Sequence, residues 1–417
     1  MPTPNPPAPP SYIWQHRAWP QLSFDAAALA PALDQARLEQ GRLLGLLGAI
    51  RLEQANAVQR DLWVQEALAT AAIEGEQLNL ESLRSSVAHR LALADAPGAD
   101  RSVDGLVQVM QDALANHSAA LDLDRLCRWQ AALFPGGTSG ITRIAVGRVR
   151  SHADTMQIVS GALGCEVVHY EAPPSAQVVA EMERFLAWFA STRPTSAATA
   201  STTGAAVNGI ARAALVHLWF ESIHPFEDGN GRLGRALADM ALAQDMHAFD
   251  SQASPLLVRV YGLAHQMLKT RAAYYDALNH AQRLRGVMPG ASTIDATPWV
   301  QWFVQAFTRA CITSQAVVRD ATDKAQFRLR AAQCHINPRQ SKALERLLDA
   351  GHVGSGGGFL GGMTNEKYAK ITATSKATAT RDLADLLAHG LLRVEGVGKA
   401  TRYAVNVPGW EQPALKP

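Results

Sequence analysis

Cysteine is scarce in this chain. Cys127, Cys165, Cys311 and Cys334 are the four present in 417 residues, and no two stand at CxxC or CxxxC spacing. That scatter argues against a disulfide framework and a thiolate zinc site, and suits reduced thiols. Long apolar runs are missing too. None approaches the roughly 20 residues a bilayer span requires, so no membrane partner is expected. The opening MPTPNPPAPP lacks the basic start and apolar core of a secretion signal and reads as a disordered lead-in. The expected location is the cytoplasm. Neither sign of charge dominates: the formal net charge is +2, so any nucleic-acid surface must be local. The chain shows no internal repeat and no GxxxxGK[ST] phosphate loop.

What the chain does have is helical pattern. Hydrophobic residues make up 47%, much of it alanine, which supports buried helical cores. Its length sets a prior of about three domains. From Phe24 to about Leu93 leucines recur at spacings of three and four. ADAPGAD, ending at Asp100, reads as a boundary, and more helix follows to Phe134. The run GRVRSHADTMQIVSGALGCEVVHYEAPP changes character. Its short β-branched runs read as a hairpin ended by Pro173 and Pro174. Helix resumes, is interrupted by the low-complexity STRPTSAATASTT (191–203), and dominates from Ala205 to about Arg330. A last break falls at HINPRQ (335–340), ahead of a compact segment with its own Gly-rich loop, GSGGGFLGG.

The densest chemistry lies in ESIHPFEDGNGRLGRALADM (221–240). The segment before it, GIARAALVHLWFESI, is apolar nearly all round, as a core helix is. Pro225 discourages that helix from continuing through His224. Gly229, Asn230 and Gly231 tolerate positive φ and let backbone N–H groups converge where a new helix begins. A helix N-terminus favours anions. Arg232 and Arg235, one turn apart, present two guanidinium groups over it, as a polyphosphate clamp would. Asp228 is the natural Mg²⁺ ligand, since Mg²⁺ binds through one or two carboxylates plus phosphate oxygens. A neutral His224 can take a proton from an attacking hydroxyl. Phe226 is an apolar peg for the loop. Singly, each feature has a bland explanation: a structural histidine, a solvated arginine pair, a turn. Their fixed order points to attack of a hydroxyl on a nucleotide phosphate.

The string resembles the Fic family motif HxFx(D/E)GNGRxxR and matches it at His224, Phe226, Asp228, Gly229, Asn230, Gly231, Arg232 and Arg235. The resemblance implies a mainly α fold: a helical Fic core with a β-hairpin flap. It implies transfer of AMP from ATP to a Ser, Thr or Tyr hydroxyl of a target protein, with ATP and Mg²⁺ as cofactors. His224 is then the base, Asp228 holds Mg²⁺, Asn230 and the amides after it hold the α-phosphate, and Arg232 and Arg235 take the outer phosphates. The kinase-like Doc branch carries a lysine in place of this GNG pattern, so nucleotidyl transfer is expected here. TMQIVSG (155–161) stands where the flap is expected to lay the target peptide down as an added strand. Tyr274 and Tyr275 fit either the nucleotide-base pocket or core packing.

Upstream, Thr70, Glu74 and Gly75 in TAAIEGE resemble the (S/T)xxxE(G/N) inhibitory motif of many Fic proteins. Glu74 falls near a helix end with Gly75 as a plausible C′ cap. A carboxylate there is electrostatically misplaced and gains from a cation. By resemblance that cation is Arg235, drawn away from the nucleotide. In some Fic proteins the same glutamate helps remove AMP, so de-adenylylation or use of another nucleotide is the alternative chemistry. SYIWQHRAWPQLSFD (11–25) resembles the start of an N-terminal module of some Fic proteins, with Trp14, Trp19 and Phe24 as anchors.

The C-terminal segment reads as helix, turn, helix, then a hairpin turning near GVGK. It resembles a winged helix-turn-helix over residues 335–407. Ser375, Lys376, Thr378 and Thr380 would be its base-reading positions. Arg381 would lie near phosphate, with Lys399 and Arg402 on the wing. Such folds serve DNA or protein partners. The expected parts are residues 1–100, an N-terminal helical module with the inhibitory motif; 101–330, the catalytic core; and 335–407, the winged helix. A DNA-binding regulator whose core only senses nucleotide is the rival of another class. The resemblance leaves a homo-oligomer open.

Overall fold

The computed structural model describes residues 11–50, 52–90, 100–160, 167–194, 208–250, 255–284, 290–349, 362–396 and 401–410. The Pro-rich start, most of ADAPGAD, most of the 191–203 stretch, nearly all of the Gly-rich loop, Cys165, Gly161 and Lys399 lie outside these residues. The described chain is mainly α with small hairpins, as expected. It divides into two compact units. One comprises Met1–Gly45 with Gln59–Ser314, the other Leu46–Val58 with Gln315–Pro417. The segment carrying Thr70 and Glu74 belongs to the same unit as the HPFEDGNGRLGR motif.

The helices are α1 (Ala26–Gly48), α2 (Leu52–Ile73), α3 (Leu80–Arg90), α4 (Arg101–Ala115), α5 (Leu123–Leu133), α6 (Val178–Ser191), α7 (Gly209–Ile223), α8 (Asn230–Phe249), α9 (Leu263–Lys269), α10 (Arg271–Ala281) and α11 (Thr297–Ala332), followed by α12 (Pro338–Asp349), α13 (Asn365–Thr372) and α14 (Lys376–Ala388). In the first unit α7 packs along α8 at the centre. Every residue of α7 is buried, as its unbroken apolar surface requires. The short strands pair as β1 (Leu22–Ser23) with β6 (Ile294–Asp295), β2 (Thr138–Ser139) with β3 (Thr142–Arg143), β4 (Gln157–Ser160) with β5 (Val167–Glu171), and β7 (Leu392–Glu395) with β8 (Arg402–Val405). The β1–β6 pair is parallel and the others are antiparallel.

The aromatic strap ahead of α1 is anchored as its tryptophans suggest. Trp14 Nε1 donates to the Glu171 carbonyl (2.7 Å) and Trp19 Nε1 to Glu181 (2.8 Å). Trp19 meets Trp219 of α7 edge to face, with ring centroids 5.9 Å apart. Phe24 is only half-buried. The axial position of α2 is held by buried Glu66, whose carboxylate accepts from the N–H groups of Ala264 and His265, both at 2.9 Å. These are free donors of the first turn of α9, where a negative group is favoured.

In the second unit α12, α13, α14 and the β7–β8 hairpin enclose a core of Phe327, Leu344, Leu348, Tyr368, Leu383, Leu386, Leu392 and Val405. Helix α13 coincides with NEKYAKIT, and α14 starts at its Ser375 cap. Sequence pattern missed α12. Trp19→Ala should cost about 3 kcal/mol of stability, as loss of a buried indole does, read as a lower urea midpoint with the secondary structure kept.

Candidate active site

The site is built where α7 stops and α8 starts. His224 caps α7 in the left-handed region (φ 49°, ψ 62°), its N–H donating to the Phe220 carbonyl at 3.0 Å. That conformation is strained for a side chain with a Cβ and needs support from around it. Arg150 supplies it. Its Nε donates to the His224 carbonyl (2.7 Å), and Nη2 donates to the carbonyls of Pro173 (2.6 Å) and Ile223 (3.2 Å). Its backbone N–H donates to the Pro225 carbonyl (2.9 Å). Burial pushes the Arg150 guanidinium down to about 10, so it stays charged at neutral pH.

The loop from Phe226 to Gly229 is closed by Asn230. Its Oδ1 accepts from the Phe226 N–H (3.0 Å) and its Nδ2 donates to the Phe226 carbonyl (2.8 Å). The Asn230 carboxamide therefore shapes the loop, and the main-chain N–H groups of the first turn of α8 have no acceptor within the helix. Phe226 is fully buried, as a peg should be. Gly229 has φ 90°, and a Cβ there would also press on Phe134 and Leu133. Asp228 is partly exposed. It accepts from the Gly229 N–H (2.5 Å) and from the Ser139 hydroxyl, so the β2–β3 turn orients it.

His224 lies beside Glu221, with Nδ1 3.9 Å from Oε2. Burial and the Arg150 cation push the imidazole from its ordinary 6.5 down to about 4, so it is a neutral base at physiological pH. Burial and the nearby Glu74 push Glu221 up to about 8. Both groups line a cavity of about 640 Å³, together with Glu74, Gly231, Arg271 and Tyr275. The cavity also takes in Ile158, Val159 and His169 of the β4–β5 hairpin, which places the expected flap beside His224. A β-bulge between Ile158 and Val159 leaves His169 as the extra residue. Tyr274 is a core residue whose hydroxyl lies 2.9 Å from His217 Nε2.

The end of α2 meets the start of α8. Glu76 N–H donates to the Ala71 carbonyl (3.0 Å) and Gly75 N–H to Ala72 (3.1 Å), a Schellman cap with Gly75 at φ 83°. Arg235 Nε donates to Thr70 Oγ1 (2.7 Å), and Nη2 donates to the Thr70 carbonyl (3.0 Å) and Glu74 Oε1 (2.6 Å). Burial alone would lower the Arg235 pKa, but the Glu74 carboxylate raises it overall. A Cβ built on Gly231 would overlap the Glu74 carboxylate. Glu74 thus lies against the first turn of α8. Arg232 Nη1 pairs with Glu76 at 2.9 Å, and its guanidinium stacks over Phe134, 4.8 Å from the ring centroid.

All nine residues expected at the site converge here. Arg150, Ser139, Glu221 and Glu76 were not anticipated. Only Glu221 and Glu76 had a signal, as carboxylates beside a motif. In the second unit three expected base-reading positions have local roles. Ser375 Oγ caps α14 at the Thr378 N–H (3.2 Å), Lys376 pairs with Glu366 (2.6 Å), and Thr380 Oγ1 accepts from Asn365 (2.7 Å). Arg381 is exposed.

Residues 120–242 match the Fic/DOC family, and residues 12–93 match a family described as a domain of unknown function, DUF4172. No curated protein matches the chain. Among solved structures it is similar to a Fic family protein from Desulfovibrio desulfuricans G20, at 20% identity over 92% of this chain and 98% of that one, with a TM-score of 0.46. It is also similar to a Fic domain-containing signaling protein from Bacteroides thetaiotaomicron VPI-5482, at 16% identity over 68% and 98%, TM-score 0.42. Fic-1 (residues 134–508) from C. elegans is similar at 18% identity over 72% and 74%, TM-score 0.42.

If His224 serves as the base of a reaction at this site, its shift from 6.5 to about 4 would set the acid limb. The imidazole is neutral above that value and protonated below it. The pH profile of kcat/KM should therefore hold down to about pH 5 and fall as pH passes through about 4. Arg150→Met should lower kcat by about 10- to 100-fold with little change in KM, because the reacting geometry is lost while the phosphate contacts remain.

Proposed function

Because the chain carries a Fic/DOC family domain over residues 120–242, we propose that it transfers AMP from ATP to a hydroxyl of a target protein, and that Glu74 holds the enzyme off. Members of this family typically move a nucleoside monophosphate onto proteins. The observation that carries the reading is the contact of Glu74 with Arg235 at 2.6 Å, over the first turn of α8.

In the active form Glu74 leaves Arg235. The α8 amides and the two arginines bind and orient the triphosphate. His224 takes the proton of the acceptor hydroxyl at its ring nitrogen as that oxygen attacks the α-phosphorus. The bond to the bridging oxygen breaks and pyrophosphate departs. Asp228 fits a magnesium site. It is partly exposed beside the arginines, and among the described residues no group of three His, Cys, Asp or Glu side chains forms an all-protein cage. One carboxylate completed by phosphate oxygens and water is what Mg²⁺ takes, and the ion supplies charge neutralisation on the phosphates. Among the described residues β4 pairs only with β5, and its other edge suits a target segment added as a strand.

In the second unit, the order of α13, α14 and hairpin supports a helix-turn-helix role. DNA titrations over a salt series test it through the slope of affinity against salt. For the catalytic reading, labelled Mg-ATP and a cell lysate are the test. Glu74→Gly should raise AMP incorporation at least about tenfold, since it removes a charge-assisted, partly buried contact. His224→Ala in the same chain should abolish it. A Glu74→Gly chain as silent as the parent would count against the brake, and label retained by His224→Ala would count against the base.

A further inference from the structure

The brake read from sequence has one arm, Glu74 on Arg235. The structure has a second carboxylate in the same place. Glu76 faces Arg232, with Nη1 2.9 Å from each of its oxygens. The Arg232 side chain is 4% exposed, and Phe134 covers one face of it. Its Nε is buried without a partner among the described residues. Glu76 is more open, at 41%.

The backbone explains how two residues so close in sequence reach two arginines one turn apart. In a continuing helix, side chains two residues apart diverge by about 200°. Here α2 stops, and Gly75 at φ 83° reverses the chain direction. The Schellman bonds to Ala71 and Ala72 hold the reversal. Glu74 and Glu76 both come to face α8. Their spacing matches Arg232 and Arg235, which are i and i+3 on α8 and project together.

We infer that Glu76 is a second inhibitory arm, a carboxylate that occupies Arg232 in place of a phosphate group of the incoming polyphosphate. The inference rests on the clamp reading of Arg232 and Arg235 proposed above and adds a division of labour. Glu74 lies on the first turn of α8 and governs alignment. Glu76 is the outer, more exposed arm and governs affinity. A polyphosphate entering from solvent displaces Glu76 from Arg232 before it displaces Glu74 from Arg235. The outer contact is screened by solvent, so Glu76 opposes binding more weakly than Glu74 opposes turnover.

The test separates the two arms by measuring binding without turnover. The probe is inorganic tripolyphosphate with Mg²⁺, titrated calorimetrically into the full chain carrying His224→Ala. Adding Glu76→Gln, which keeps shape and removes charge, should tighten the dissociation constant by about three- to tenfold, the range for one charge-assisted contact screened on one side. The gain should shrink as salt rises. In the His224-containing chain, Glu76→Gln alone should lower KM for ATP and leave kcat within about twofold of the parent, because it changes affinity rather than alignment. An unchanged or weakened dissociation constant for Glu76→Gln, in a chain whose thermal melt matches the parent, overturns the inference. If Glu74→Gly fails to activate AMP transfer while Glu76→Gln still tightens tripolyphosphate, the proposed reaction fails and the second arm stands.

Discussion

Two main-chain events carry this site: α7 ends in a left-handed histidine, and α8 begins immediately after a left-handed glycine. The first places an imidazole in the lining of the cavity. The second leaves the first-turn N–H groups of α8 unpaired by the helix, with two arginines above them. Neither conformation holds itself. Arg150 is fully buried at the cost of losing its water, and its guanidinium donates to three carbonyls, those of His224, Pro173 and Ile223, that would otherwise repel one another at the turn. Asn230 closes the loop from the other side. The buried α7 is the floor on which both are set.

Onto that frame the chain places its own anions. A helix C-terminus is a poor place for a carboxylate and a helix N-terminus is a good one. By running the end of α2 onto the start of α8, the fold moves Glu74 and Glu76 from the first environment to the second. The same physics that would draw a triphosphate to α8 draws these carboxylates there. The proposed brake is competition for one electrostatic site. It needs only that α2 stay in register, and the Glu66 carboxylate, bound to the first turn of α9 two helical turns before the brake, fixes that register.

Much of this was legible in the residues. The positions of His224, Asp228, Gly229, Arg232 and Arg235 follow from motif order, because each depends on local backbone geometry that short sequence specifies. Thr70, Glu74 and Gly75 were legible for the same reason: a helix end and its glycine cap are local. The hairpin was visible as short β-branched runs ended by Pro173 and Pro174. Arg150 and Ser139 were not, since their partners lie 74 and 89 positions away and nothing local marks either residue. That the Asn230 side chain closes the loop was not legible, because only its hydrogen-bond partners in the fold show it. Glu76 was in plain view but carried no meaning until the turn at Gly75 showed where it faces.

The most direct test of the account is the structure of the Glu74→Gly chain with Mg-ATP bound. The account predicts a triphosphate lying across the first turn of α8, Arg232 and Arg235 both on phosphate oxygens, Glu76 displaced from Arg232, and the His224 ring turned toward an open position beside the α-phosphorus. A nucleotide bound elsewhere, or Arg232 still paired with Glu76 while the phosphates lie away from α8, would contradict it.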